Sequence, residues 1–166
     1  MSALRILTCV LAAATIMQIG VVSATAQDSN TNVWACRNFG AAAPEPIGDR
    51  EGHALYLVQW NCRAESGPLA GGVATGDAAY EFDGPKANLL TFRLVVRKPG
   101  AIAVVRGTGG TLTLTMTDGK VTGSTSTGRY DYVLATGDWK PLLGKSETWV
   151  TKSTSPGEFS CESTLQ

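Results

Sequence analysis

The chain has 166 residues, with 14 basic and 14 acidic side chains and a net charge of zero. That balance excludes a basic stripe for nucleic acid or anionic lipid, and no run of like charges forms an interaction tail. A single histidine and four cysteines narrow the remaining chemistry further.

Residues 1–26 read as an export signal. Arg5 supplies a short basic region, and an apolar run from Ile6 to Val22 is broken only by Thr8, Thr15, Gln18 and Gly20. Ala24-Thr25-Ala26 then gives the small-x-small cleavage pattern before Gln27. No basic stop-transfer flank follows, so cleavage after Ala26 and release to the periplasm or the medium are expected, with no membrane span afterwards. Cys9 has too little sequence ahead of it to carry a lipid. The mature chain amounts to one domain. Its expected layout is an extended segment and loop over 27–52 and a β domain over 53–166.

In chain order, 33–36 is a short strand, and 38–52 is a loop carrying Gly40, Pro44, Pro46 and Gly48. Residues 54–62 form a strand with Leu55, Leu57 and Gln59 on one face and Tyr56, Val58, Trp60 and Cys62 on the other. With both faces largely apolar, it is expected to lie central and covered. Ser66-Gly67-Pro68 turns the chain, 69–75 is weak and glycine-rich, and 78–82 is a strand. In the strand 89–97, Leu89, Thr91, Arg93 and Val95 alternate against Leu90, Phe92, Leu94 and Val96. Lys98-Pro99-Gly100 is a tight turn, and 101–106 follows.

The strongest signal is Thr111 to Thr127. Leu112, Leu114 and Met116 share one face with threonines between them, and Asp118-Gly119 suits a type I′ hairpin. The register this turn sets would oppose Met116 to Val121 and Leu114 to Gly123, with Gly123 on the inner face where a sheet bends. A hydroxyl ladder of Thr115 with Thr122 and Thr113 with Ser124 would lie outside. Tyr130, Tyr132 and Leu134 alternate against Asp131 and Val133. Residues 137–144 read as loop or bent strand, and 145–151 and 158–163 as the last strands.

Short strands at near-regular spacing, separated by turns and without a helix, specify an all-β fold. An antiparallel up-and-down β-barrel of about eight strands is expected, because closure removes exposed edges; a β-sandwich is the alternative.

The segment Gly123-Ser124-Thr125-Ser126-Thr127-Gly128-Arg129-Tyr130, followed by Ala135-Thr136-Gly137, resembles the "G-T-G-x-[FY]-x-x-A-x-G" stretch of the allene oxide cyclase and dirigent-like barrels. The resemblance covers residues 123–144 and implies an eight-stranded antiparallel barrel holding an apolar ligand. Ser126 stands where the pattern has glycine, and the gap from Tyr130 to Ala135 is longer. No catalytic residue of those families has a counterpart in this chain.

Cys36, Cys62 and Cys161 follow the cleavage point, so one disulfide among them and one leftover thiol are expected in an oxidising compartment. Their spacing matches no metal motif, and no cofactor is expected. His53, in Gly48-Asp49-Arg50-Glu51-Gly52-His53, is a candidate general base oriented by Asp49 or Glu51; the same residues also suit a solvated loop. Glu81 and Arg93 are candidates for a buried acid and a ligand anchor if they face inward. Facing outward is the simpler account of both. Tyr56, Trp60, Tyr130, Tyr132 and Trp149, with Trp34 and Trp139, suffice to line a cavity or to fill a core.

The leading expectation is non-catalytic: an exported barrel that binds a small apolar or amphipathic ligand, or an accessory envelope or secreted domain. The alternatives are a cyclase or isomerase working by positioning and a protein–protein module, with oligomerisation open.

Overall fold

Residues of high β propensity at period two make up nearly all of the computed structural model, which describes residues 30–39, 43–118 and 120–166. The export signal expected over 1–26 lies outside the described residues. The strands are β1 (Thr31–Asn38), β2 (Glu45–Pro46), β3 (His53–Ser66), β4 (Val73–Asp83), β5 (Lys86–Lys98), β6 (Ala101–Thr117), β7 (Lys120–Ala135), β8 (Ser146–Ser155) and β9 (Glu158–Leu165).

Consecutive strands from β3 to β9 pair antiparallel, and β1 pairs with both β9 and β3, which closes the ring. The result is an eight-stranded up-and-down barrel, and the sandwich alternative is set aside. The two-residue β2 runs beside Ala54 and Leu55 of β3, outside the closed ring. The barrel therefore takes its first strand from Thr31–Asn38, ahead of the boundary expected at residue 53. Cys36 and Cys62 lie directly opposite each other across the β1–β3 seam and form the disulfide. Cys161 is the free thiol.

Alternation puts Trp34, Val58, Trp60, Leu94, Val96 and Val105 inside, while Arg37, Gln59, Asn61, Arg63 and Arg93 face out. The expectation that β3 is covered on both faces is wrong: Leu57 is 59% exposed on an outer wall that faces solvent. Two inward glycines are fixed by close approach. Gly76 lies opposite Trp60 and Gly128 opposite Trp149. A Cβ on Gly76 would sit 2.6 Å from the Trp60 indole, and one on Gly128 2.3 Å from the Trp149 indole. Each tryptophan thus lies across the bare backbone of its neighbour, and the wall bends around it.

Three bulges reverse faces that simple alternation assigns. Met116 does pair with Val121, but the extra residue Thr122 sets Leu114 opposite Ser124 and Thr115 opposite Gly123. Ser124 therefore faces inward and Gly123 does not, and the ladder of Thr115 with Thr122 does not form as expected. Leu90 bulges between β4 and β5, which leaves it 55% exposed and turns Leu89 toward the core. Val133 bulges between β6 and β7, so Leu134 faces outward beside Val104 and Ala135 turns in. Asp118 has the positive φ expected for the hairpin turn, 51°, whereas Gly119 lies outside the described residues. One further departure is a short 3-10 helix, Gly137–Leu142, in place of loop or bent strand. It buries Trp139 and Leu142.

Candidate functional site

The two ends of the barrel differ in chemistry. At the end where β1 begins and β9 finishes, the 3-10 helix and the loop carrying Leu69 close the lumen, and Leu69 is 1% exposed. Beneath them Glu147 is fully buried. Its Oε1 accepts from Asn32 Nδ2 at 3.0 Å and from the Tyr132 hydroxyl at 2.5 Å, and its Oε2 accepts from the Tyr130 hydroxyl. Asn32 is held in turn by the Leu69 N–H, 2.8 Å from its Oδ1. With the Tyr130 hydrogen committed to Glu147, Ser163 at 3.2 Å donates its own to Tyr130, and Trp34 Nε1 donates to Ser163 at 3.1 Å. Every hydrogen in this chain runs toward Glu147, the arrangement an ionised carboxylate takes. Burial, then the Glu147 charge, pushes the Tyr130 and Tyr132 hydroxyls far up.

Tyr130 links this sealed end to the open one. Its ring stacks at 5.9 Å on Phe92 and 5.7 Å on Trp149, and Phe92 stacks on Trp149 at 4.8 Å. The interplanar angles are 4°, 19° and 15°. These three near-parallel rings, with Trp60 tilted against Phe92, floor a half-open cup of about 90 Å³. The mouth lies at the far end, among Asn38, Tyr56, Ser124 and Phe159.

The walls of the cup are unlike one another. The β7–β8 side offers hydroxyls: Ser126 Oγ lies 2.7 Å from Thr151 Oγ1, and Ser124 Oγ lies 3.0 Å from Ser153 Oγ. The β1–β3–β9 side is sulfur and hydrocarbon, with Val58, Phe159, Cys161 and the Cys36–Cys62 bridge. Burial raises the Tyr56 hydroxyl, and it pushes the Tyr80 hydroxyl up to about 12 against a hydrogen bond from Ser126. Burial also pushes the Cys161 thiol up to about 12, helped by the Glu147 and Glu162 charges. Every titratable group of the wall whose pKa is shifted is thus held in its neutral form.

The candidates expected from sequence divide sharply. Tyr56, Trp60, Tyr130 and Trp149 line the cup, while Tyr132 sits below it on Glu147. His53, Glu81 and Arg93 face outward from the wall. His53 Nε2 meets Glu81 Oε1 at 2.8 Å and its Nδ1 meets Asp49. Asp49, rather than Glu51, is thus the carboxylate beside Nδ1. Both ring nitrogens are thus engaged on the outer face, and neither points into the cup. Hydrogen bonds first to Asp49 and then to Glu81 raise its pKa, opposed by burial and by Arg50. Arg93 is held by Asp77 at 2.9 and 3.1 Å, not by Glu81.

Sequence reasoning missed Glu147, although the signal was present: it lies two residues from Trp149 and so shares its inward face. It also missed Ser126 and Thr151, whose small hydroxyl side chains look like ordinary strand filling. No protein-family model, no curated protein and no solved structure matches the chain.

Proposed function

We propose that this barrel is an exported, non-catalytic binding protein that takes the uncharged end of a small apolar or amphipathic molecule into its open lumen. The observation that carries the reading is the cup itself, with an aromatic floor and walls that hold their shifted groups neutral. A charged group entering it would lose its hydration with no opposite charge among those walls to meet it. At about 90 Å³ the cup is smaller than the ~150 Å³ cavity that accepts benzene and far below the ~300–1,000 Å³ of drug-sized pockets. Because the cup is open on one side, one ring or a short chain end enters part-way, with the rest of the molecule at the mouth. That size does not support a cyclase, which must enclose a whole flexible chain. The Cys36–Cys62 bridge supports an oxidising compartment.

Trp60 and Trp149 line the cup and report on its contents. Titration with toluene and with 1-hexanol should give a saturable change in tryptophan emission. Leu112→Trp, which fills the cup from β6, should abolish it while leaving the fold intact by circular dichroism. A response that never saturates, or that is the same in the filled variant, would overturn the reading. Native mass spectrometry of the protein from its own host should show a neutral, low-mass adduct.

A further inference from the structure

The cup holds more information than its volume. Ser126 and Thr151 come from the neighbouring strands β7 and β8 and meet along one wall, and Tyr80 lines the cup from β4, beside β3. Ser126 Oγ and Thr151 Oγ1 share one hydrogen bond at 2.7 Å. Two hydroxyls joined by one hydrogen bond use one of their two hydrogens, so one O–H is left over. Which of the two carries it depends on how the rotors settle, but the count does not. The neighbouring backbone and indole hydrogens do not absorb it, because Ser126 N–H and Trp149 Nε1–H are donors too, to Thr151 Oγ1 and Ser126 Oγ. This wall therefore has a surplus donor facing the cavity and needs an acceptor oxygen to satisfy it. Below it, the parallel rings of Phe92, Tyr130 and Trp149 offer faces and edges suited to another ring. The volume admits no more than one.

We propose that the cup selects a neutral monocyclic aromatic group bearing one hydroxyl, carbonyl or ether oxygen, with the ring against the Phe92–Tyr130–Trp149 floor and the oxygen on the Ser126–Thr151 wall. This rests on the reading of the lumen as a binding site and narrows it from any small apolar group to a phenol-like one. The Val58 side chain and the Cys36–Cys62 bridge carry no oxygen or nitrogen, so an oxygen turned toward them gains no bond like that offered by Ser126 and Thr151.

The test uses four probes on the purified protein: phenol, toluene, 1-hexanol and benzoate, followed by tryptophan emission and calorimetry. Phenol should bind about three- to tenfold more tightly than toluene, the worth of one net hydrogen bond, and more tightly than 1-hexanol. Benzoate should not bind, because its charge would be buried unpaired. The variant Tyr80→Phe/Ser126→Ala/Thr151→Val removes all three hydroxyls. It should keep toluene and lose the preference for phenol. If 1-hexanol or toluene matches phenol in the natural protein, or if a folded hydroxyl-free variant keeps the phenol preference, the aromatic-oxygen class is wrong while lumen binding stands. If none of the three neutral probes saturates, both fail together. The comparison within the natural protein decides the matter even if the triple variant does not fold.

Discussion

Replacing Glu147 with glutamine changes one atom in the most enclosed polar cluster of the barrel, and the hydrogen-bond geometry dictates the consequences. The carboxylate accepts from three donors, Asn32, Tyr132 and Tyr130, and gives hydrogens to none. An amide has one acceptor oxygen and two hydrogens. If that oxygen takes the place of Oε1, Asn32 and Tyr132 keep a partner. The new NH₂ then points at Tyr130, which must turn its hydrogen to Ser163, and Ser163 already accepts from Trp34. One amide hydrogen and the Ser163 hydrogen lose their acceptors. Each orphan costs about 1–3 kcal/mol, and hydrogen bonds to a charged group, worth about 1.5–3 kcal/mol, fall to about 0.5–1.5. Relief from burying a charge offsets part of this. A net loss of about 2–4 kcal/mol is expected, read from urea or guanidinium midpoints at constant m. Tyr132→Phe alone should cost about 1.5–3 kcal/mol, and clearly less in the glutamine background, a coupling of about 1 kcal/mol or more. A Glu147→Gln loss below about 1 kcal/mol, or strict additivity with Tyr132→Phe, would refute the picture of donors converging on a charged acceptor.

The outer clamp on His53 should show itself in pH. Its pKa is raised in the folded state, so its contribution is full below about pH 6.5 and is lost as pH rises through the folded value. Asp49 is lowered, chiefly by its hydrogen bond to His53, so its contribution is lost as pH falls through its own folded value. Denaturation midpoints should therefore fall at both ends of that window, and His53→Gln should flatten the alkaline arm. An imidazole proton resonance that titrates at or below about 6.5 would contradict this. Removing the disulfide as Cys36→Ser/Cys62→Ser should cost about 3.5 kcal/mol for its separation of 26 residues, measured by equilibrium unfolding. A loss under about 1 kcal/mol would mean that the β1–β3 seam closes without it. Gly128→Ala places a methyl against Trp149 and should destabilise by about 1–3 kcal/mol, whereas Gly109→Ala, with nothing within 4 Å, should change far less. Equal thermal midpoints for the two would sink the indole-over-glycine account.

Much of the fold was legible because period-two alternation and turn residues are local signals. Thr111 to Thr117, the Lys98-Pro99-Gly100 turn and the inward set Tyr56, Val58 and Trp60 followed from neighbours alone. The features that were not legible depend on strands remote in sequence. A bulge is a disagreement between two strands about length, so Leu90, Thr122 and Val133 look like ordinary strand residues until the partner strand is aligned. Beyond each bulge the face assignment is reversed, which is why Leu134 and Gly123 were misplaced. The short strand read at 33–36 became the longer Thr31–Asn38 because β3 and β9 both pair with it. His53 and Glu81 come together through the β3–β4 register, which sequence left open. The hydroxyl wall is assembled from β7 and β8, and neither strand alone carries its signature.

The barrel keeps a void that simple packing would remove. A longer side chain at Ser126 or Leu112 would bury further apolar surface against the floor, worth about 25 cal/mol per Å². The opposite end shows the same chain packing without slack: Glu147, Asn32 and Ser163 are almost wholly enclosed, and every polar atom of their network has a partner. That network also determines the floor of the cup, because Tyr130 cannot tilt its ring toward the void without pulling its hydroxyl off Glu147. Phe92 and Trp149 are then held by stacking on a ring that is itself pinned. The sealed half thus supplies the rigidity that lets the open half stay hollow, the relation expected where a supporting shell holds binding groups in place. An unfilled cup above a floor braced this firmly supports the proposed binding role.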